Sequence, residues 1–154
     1  MQQSKQTTDR SRHHGSGSWR CALGYDGTLL DSRDYHWRSW RDMLAQEGFT
    51  LTYEEFAATF GQRNDAILRH LLGADLPAEE IDRIGEAKEV AYRELVRTQG
   101  VELLPGIALW LERLQQAGWL QAVASSAPRA NIDVVIDALQ IGSFFCGNCF
   151  RRGC

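Results

Sequence analysis

The stretch Cys21-Ala22-Leu23-Gly24-Tyr25-Asp26-Gly27-Thr28-Leu29-Leu30-Asp31-Ser32 constrains the fold more than any other part of the chain. A short apolar run ends abruptly in an acid, a glycine and a hydroxyl residue. A buried parallel strand delivers polar groups to its carboxyl end in this way. In open α/β sheets the chemistry sits at that edge. The plainer reading is a turn after a strand, since Asp-Gly is among the commonest turn dipeptides.

The remainder has enough apolar material to cover such a sheet. At 154 residues and 44% hydrophobic composition, the chain suits one domain with its own core. The formal charge of −3 gives no nucleic-acid-binding or membrane surface, and no apolar run is long enough to span a bilayer. The expectation is a soluble, cytoplasmic protein. Residues 1–18 are polar and lack the apolar segment of a secretory signal, so they read as a disordered tail.

Beyond Ser32 the periodicity turns helical. Tyr35, Trp37, Trp40, Met43 and Leu44 recur at helical spacing, with Gly48 as a stop. Thr52-Tyr53-Glu54-Glu55 has the form of a capping box and opens a short helix through Phe60. Asn64 to Leu72 reads as a third helix. A longer one follows Pro77, from about Ala78 to Thr98, with Ile81, Ile84, Ala87, Val90, Ala91 and Leu95 as its inner stripe. Residues 33–100 therefore form an all-helical block inserted directly after the first strand, a position that suits a lid.

The α/β pattern then resumes, so that 19–32 and 101–145 form the core. Ile107, Leu109, Trp110, Leu111 and Leu114 predict a helix stopped by Gly118, and Trp119 to Ala124 predicts a buried strand ending in Ser125-Ser126. These serines either meet an anion or simply cap the helix expected over 130–139. Residues 146–154 have neither strand nor helical periodicity and carry three of the four cysteines. Cys146 and Cys149 have chelating spacing, but no second Cys/His pair completes a zinc site.

Taken together, Asp26-Gly27-Thr28-Leu29-Leu30-Asp31-Ser32, the helical insertion, Leu104-Pro105-Gly106, Ser125-Ser126-Ala127-Pro128-Arg129-Ala130-Asn131 and Ile141-Gly142-Ser143-Phe144-Phe145 resemble the haloacid dehalogenase-like phosphohydrolases. The helical insertion resembles the cap carried by the branch containing β-phosphoglucomutase and phosphoglycolate phosphatase. The resemblance implies a Rossmann-like, doubly wound parallel sheet, incomplete here, with an inserted α-helical cap. It implies Mg²⁺-dependent transfer of a phosphoryl group from a small phosphorylated metabolite through an aspartyl-phosphate.

In those enzymes the first acid of Asp-x-Asp-Gly-Thr is the nucleophile, and here Gly24 stands in its place. Asp26 matches the general acid/base and a Mg²⁺ ligand. Ser125, with Ser126 beside it, matches the phosphate-binding hydroxyl position. His36, Arg63 and Asn64 fall where the branch places cap residues near the substrate. The family's later Lys and metal-binding acids are expected to be missing, so the chain is expected to be inactive: a truncated remnant or a phosphate-ester binding module. The resemblance leaves its oligomeric state open.

A one-base shift in the coding DNA on either side of the matching region would account for both Gly24 and the cysteine-rich end. With TTG GGA TAT GAT GGT for residues 23–27, one added G restores an Asp at the nucleophile position. Resequencing that finds other codons there excludes the idea.

Overall fold

The computed structural model describes residues 20–145, so the tail expected over 1–18 and the cysteine-rich segment over 146–154 lie outside the described residues. Two parallel strands, β1 (Arg20–Gly24) and β2 (Leu120–Ala124), pair in register from Arg20 with Leu120 to Gly24 with Ala124. Phe145 begins to pair with Gln121 on the other side of β2. Between the strands run α1 (Arg33–Gln46), α2 (Tyr53–Thr59), α3 (Asn64–Leu72), α4 (Ala78–Gln99) and α5 (Ile107–Gln116), and α6 (Arg129–Leu139) follows β2. This is the α/β arrangement expected from the sequence, with a helical insertion after the first strand.

Local signals account for most boundaries. Thr52 caps α2 as a capping box: its hydroxyl accepts the Glu55 N–H at 3.3 Å, and its own N–H donates to Glu55 Oε2 at 2.9 Å. Two otherwise orphaned donors are satisfied at once. Thr52→Ala is expected to cost about 1 kcal/mol, read as a fall in Tm of about 2–4 °C in a thermal melt.

The apolar side chains gather into two clusters. One, around the sheet, holds Tyr25, Leu29, Leu111, Val123, Val135 and Ile141. The other, within the helical insertion, holds Trp40, Leu44, Phe56, Leu68 and Ile81. Each such side chain contributes roughly 1.5–3 kcal/mol when fully buried.

Helix α4 belongs to both clusters, giving Ile81 and Ile84 to the insertion and Tyr92 and Val96 to the sheet. This corrects the expected inner stripe, because Val90 is exposed and the buried track runs Ile81, Ile84, Lys88, Tyr92, Val96. The reason is physical: one helix serving two cores must turn a continuous face to both, and the changeover falls on charged residues, Lys88 and Glu89. Both are buried.

Candidate functional site

The register that sets Gly24 opposite Ala124 makes the chain leave both strands at the same end of the sheet. Asp26 and Ser125-Ser126 are thus carried to one edge, where an open α/β sheet binds its ligands. After β1 the chain turns tightly: the Gly27 N–H donates to the Leu30 carbonyl at 2.9 Å and the Leu29 N–H to the Tyr25 carbonyl at 3.0 Å. Gly27 has φ +71°, a left-handed conformation that suits glycine.

Ser32 is buried, and its hydroxyl donates to Asp26 Oδ1. Turned that way it does not cap α1; Asp31 Oδ1 accepts the Arg33 N–H at 3.0 Å instead. Asp26 keeps an exposed surface, yet partial burial of its carboxyl pushes the pKa above the usual carboxylate value. The Ser32 hydrogen bond and the Lys88 ammonium pull against that rise. Asp26, Gly27, Asp31, Ser32, Arg33, Phe60 and Leu104 line a cleft of about 280 Å³. Within that lining the Arg33 guanidinium lies 4.8 Å over the Phe60 ring.

Gly24 brings no carboxylate to this edge. A Cβ built on it would lie 2.8 Å from Thr28 Oγ1, so a longer side chain there requires Thr28 to rotate.

Behind the cleft lies a buried polar network joining α1, α3, α4 and α6. Lys88 Nζ is 2.9 Å from His36 Nδ1 and 3.1 Å from Glu89 Oε1, and it faces the rings of Trp40 and Tyr92. Glu89 also accepts from Asn64 Nδ2 at 2.8 Å and from Asn131 Nδ2 at 2.6 Å. Arg93 donates to Asn131 Oδ1 at 3.1 Å. The Tyr25 and Tyr92 hydroxyls meet at 2.9 Å, and Tyr25 donates to the Asn131 carbonyl at 3.1 Å.

Burial and the neighbouring Lys88 charge push the His36 pKa down to about 3, so His36 is a neutral acceptor for Lys88. Burial alone would raise Glu89, but Lys88 and the amide donors outweigh it and hold the carboxyl below its ordinary value. Lys88 is lowered by burial despite the Glu89 and Asp26 charges. The phenols of Tyr25 and Tyr92 are raised, chiefly by burial, and stay protonated.

The residues singled out in the sequence are therefore distributed unevenly. Asp26 lines the cleft, while His36 and Asn64 belong to the buried network behind it. Ser125 is half-buried and its hydroxyl accepts the Ala127 N–H at 3.0 Å; Ser126 is exposed. Arg63 is exposed, paired with Asp65 at 3.0 Å, and is not part of the cleft wall.

Sequence reasoning missed Lys88, Glu89 and Arg33, and gave Asn131, quoted within the stretch after Ser125, no role of its own. A signal for the first was present: Lys88 stands in the 3–4 spacing of Ile81, Ile84, Tyr92 and Val96, where a charge on a buried seam calls for a partner.

As a Mg²⁺ site the described residues fall short. Mg²⁺ takes near-octahedral oxygen coordination, and no group of three His, Cys, Asp or Glu among the described residues could hold a metal ion. Gly24 supplies no carboxylate beside Asp26.

With this architecture the chain belongs to the haloacid dehalogenase-like hydrolases, whose sequence pattern matches residues 25–147. Among curated relatives, protein CbbY of Rhodobacter capsulatus is 29% identical over 119 residues, covering 73% of this chain and 52% of that protein. Hexitol phosphatase A of Escherichia coli (strain K12) is 30% identical over 107 residues, covering 68% and 48%. The chain spans about half the length of the curated relatives it matches.

Solved structures show the same fold. A family IA, variant 3 hydrolase from Entamoeba histolytica HM-1:IMSS superposes with TM-score 0.77 at 23% identity, over 86% of this chain and 61% of that one. CbbY from Rhodobacter sphaeroides in complex with phosphate gives 0.73 at 23% identity, over 86% and 62%. β-Phosphoglucomutase from Clostridium difficile gives 0.72 at 22% identity, over 88% and 62%. Among the described residues, no helix is long and apolar enough to cross a membrane.

Proposed function

We propose that this chain binds a small phosphate ester at the carboxyl edge of β1 and β2 and does not hydrolyse it through an aspartyl-phosphate. One observation carries the reading: Asp26 and Ser125 are delivered to a single edge, while Gly24 leaves it without a nucleophilic carboxylate. Asp26 presents a carboxyl beside the cleft whose pKa is raised by partial burial. Ser125-Ser126 and the amino end of α6 favour an oxyanion, and Lys88 adds positive charge from the helical insertion, which acts as a cap over residues 33–100.

Arg63, exposed and paired with Asp65, is a cation of the cap available to a phosphate ester. His36 and Asn64 act by holding Lys88 and Glu89. Mg²⁺ would find Asp26 as its donor here, and no step of binding depends on it. CbbY structures holding phosphate and xylulose-(1,5)bisphosphate support a ligand of sugar-phosphate size.

Calorimetric titration with phenyl phosphate tests the reading. Saturable binding is expected, weakened about tenfold by Ser125→Ala, in line with one lost hydrogen bond to a charged group. No binding by the parent chain, or none lost in the variant, overturns it.

A further inference from the structure

We propose that Glu89 is a positioning residue for the phosphate loop, acting across the joint between insertion and sheet through its hydrogen bond to Asn131. The inference rests on the phosphate-site reading given above for Ser125-Ser126, and the geometry beneath it is independent of that reading. Asn131 is 1% exposed and lies in the first turn of α6, where its own N–H donates to the Pro128 carbonyl at 2.9 Å. That turn follows Ser125-Ser126 after only Ala127 and Pro128.

Every polar atom of the Asn131 side chain is committed to α4. Its amide nitrogen donates to Glu89 Oε2 at 2.6 Å, and its carbonyl oxygen accepts from Arg93 at 3.1 Å. The other Glu89 oxygen is held by Asn64 at 2.8 Å and Lys88 at 3.1 Å. One carboxylate thus links α3 and α4 of the insertion to the helix start below the serines. Tyr25, between Gly24 and Asp26, reaches the same turn through the Asn131 carbonyl. The cap and the phosphate loop are therefore set in one geometry by a buried group that is not part of the cleft wall.

The sign of the effect on anion binding separates this role from simple electrostatics. Removing a carboxylate near an anion site should tighten anion binding if charge alone mattered. Glu89→Gln keeps the side-chain shape and an acceptor for Lys88. It sets an amide NH₂ against the Asn131 NH₂, whose oxygen is already taken by Arg93, and so severs the link. Positioning predicts weaker binding.

The test measures orthophosphate affinity by calorimetry and amide hydrogen exchange along α6, in the full chain and in two variants. In Glu89→Gln, exchange at Asn131 and Ile132 is expected to speed up about tenfold and orthophosphate affinity to fall about tenfold. In Glu89→Gln/Asn131→Asp the donor and acceptor are exchanged, with Arg93 facing the new carboxylate, and protection and affinity both return. Asn131→Ser, which removes only the partner on α6, reports the same exchange change should Glu89→Gln not fold.

Unchanged exchange in a folded Glu89→Gln, tighter orthophosphate binding, or failure of the exchanged pair to restore protection overturns the proposal. If the parent chain binds no orthophosphate, the phosphate-site reading fails, and the exchange data still decide the role of Glu89.

Discussion

Glu89→Ala is expected to destabilise the fold by about 3–5 kcal/mol, the range found when one partner of a buried ion pair is removed. The cost comes less from the lost attraction than from what is left behind. Lys88, 2% exposed, would retain only the neutral His36 nitrogen and two aromatic faces. Asn64 and Asn131 would each lose an acceptor in a dry setting, and a buried unsatisfied donor costs about 1–3 kcal/mol. Urea unfolding followed by circular dichroism reads the loss directly. Lys88→Met combined with Glu89→Gln should cost less than Glu89→Ala alone, because no unpaired charge remains. Equal or greater loss in the double variant would show that the pair contributes more than its desolvation takes away.

Acid is expected to weaken the protein through His36. Its folded pKa is pushed down to about 3, against roughly 6.5 in an unfolded chain. Below 6.5 the unfolded state therefore binds a proton that the folded state refuses. The stabilising difference is fully present above 6.5 and is lost progressively as the pH falls toward 3, at up to about 1.4 kcal/mol per pH unit. Glu89, held below its ordinary value by Lys88 and its amide donors, adds to the loss at the acid end. Asp26, raised by partial burial, works against it.

His36→Gln keeps an acceptor near Lys88 and cannot take up a proton. Its stability should be nearly flat between pH 7 and 5, where the parent falls by about 2 kcal/mol. Parallel denaturation curves at these two pH values check the difference; an equal fall in both proteins would remove His36 from the account.

Most of the architecture was legible in the sequence because local rules and tertiary demands agree. The capping box at Thr52 and the apolar runs of α3 and α6 all lie where propensity and periodicity put them. Legibility fails on α4, where a single 22-residue helix serves two clusters and periodicity alone favours Val90 over Lys88 for the inner face. The site was legible only in part for a related reason. Asp26 and the serines sit at strand ends, a position that chain order reveals. The joining of His36, Asn64, Glu89 and Asn131 depends on contacts between residues 25 to 42 positions apart or more, such as Asn64 with Glu89 and Glu89 with Asn131, which no local pattern encodes. Ser32 shows the same limit on a smaller scale. It stands where a helix cap is expected, and its hydroxyl serves Asp26 instead.

The family match begins at residue 25, immediately after Gly24, and ends at 147. Gly24 is thus the point on which the functional account turns. The most direct test is hydrolysis of an aryl phosphate in Mg²⁺ buffer by the chain as it stands, with Gly24→Asp measured beside it. Hydrolysis at the buffer rate is expected of the parent, with any gain confined to the variant. Parent hydrolysis above the buffer rate that is lost in Asp26→Asn would contradict it, because the chemistry would then proceed at this edge without a carboxylate at position 24.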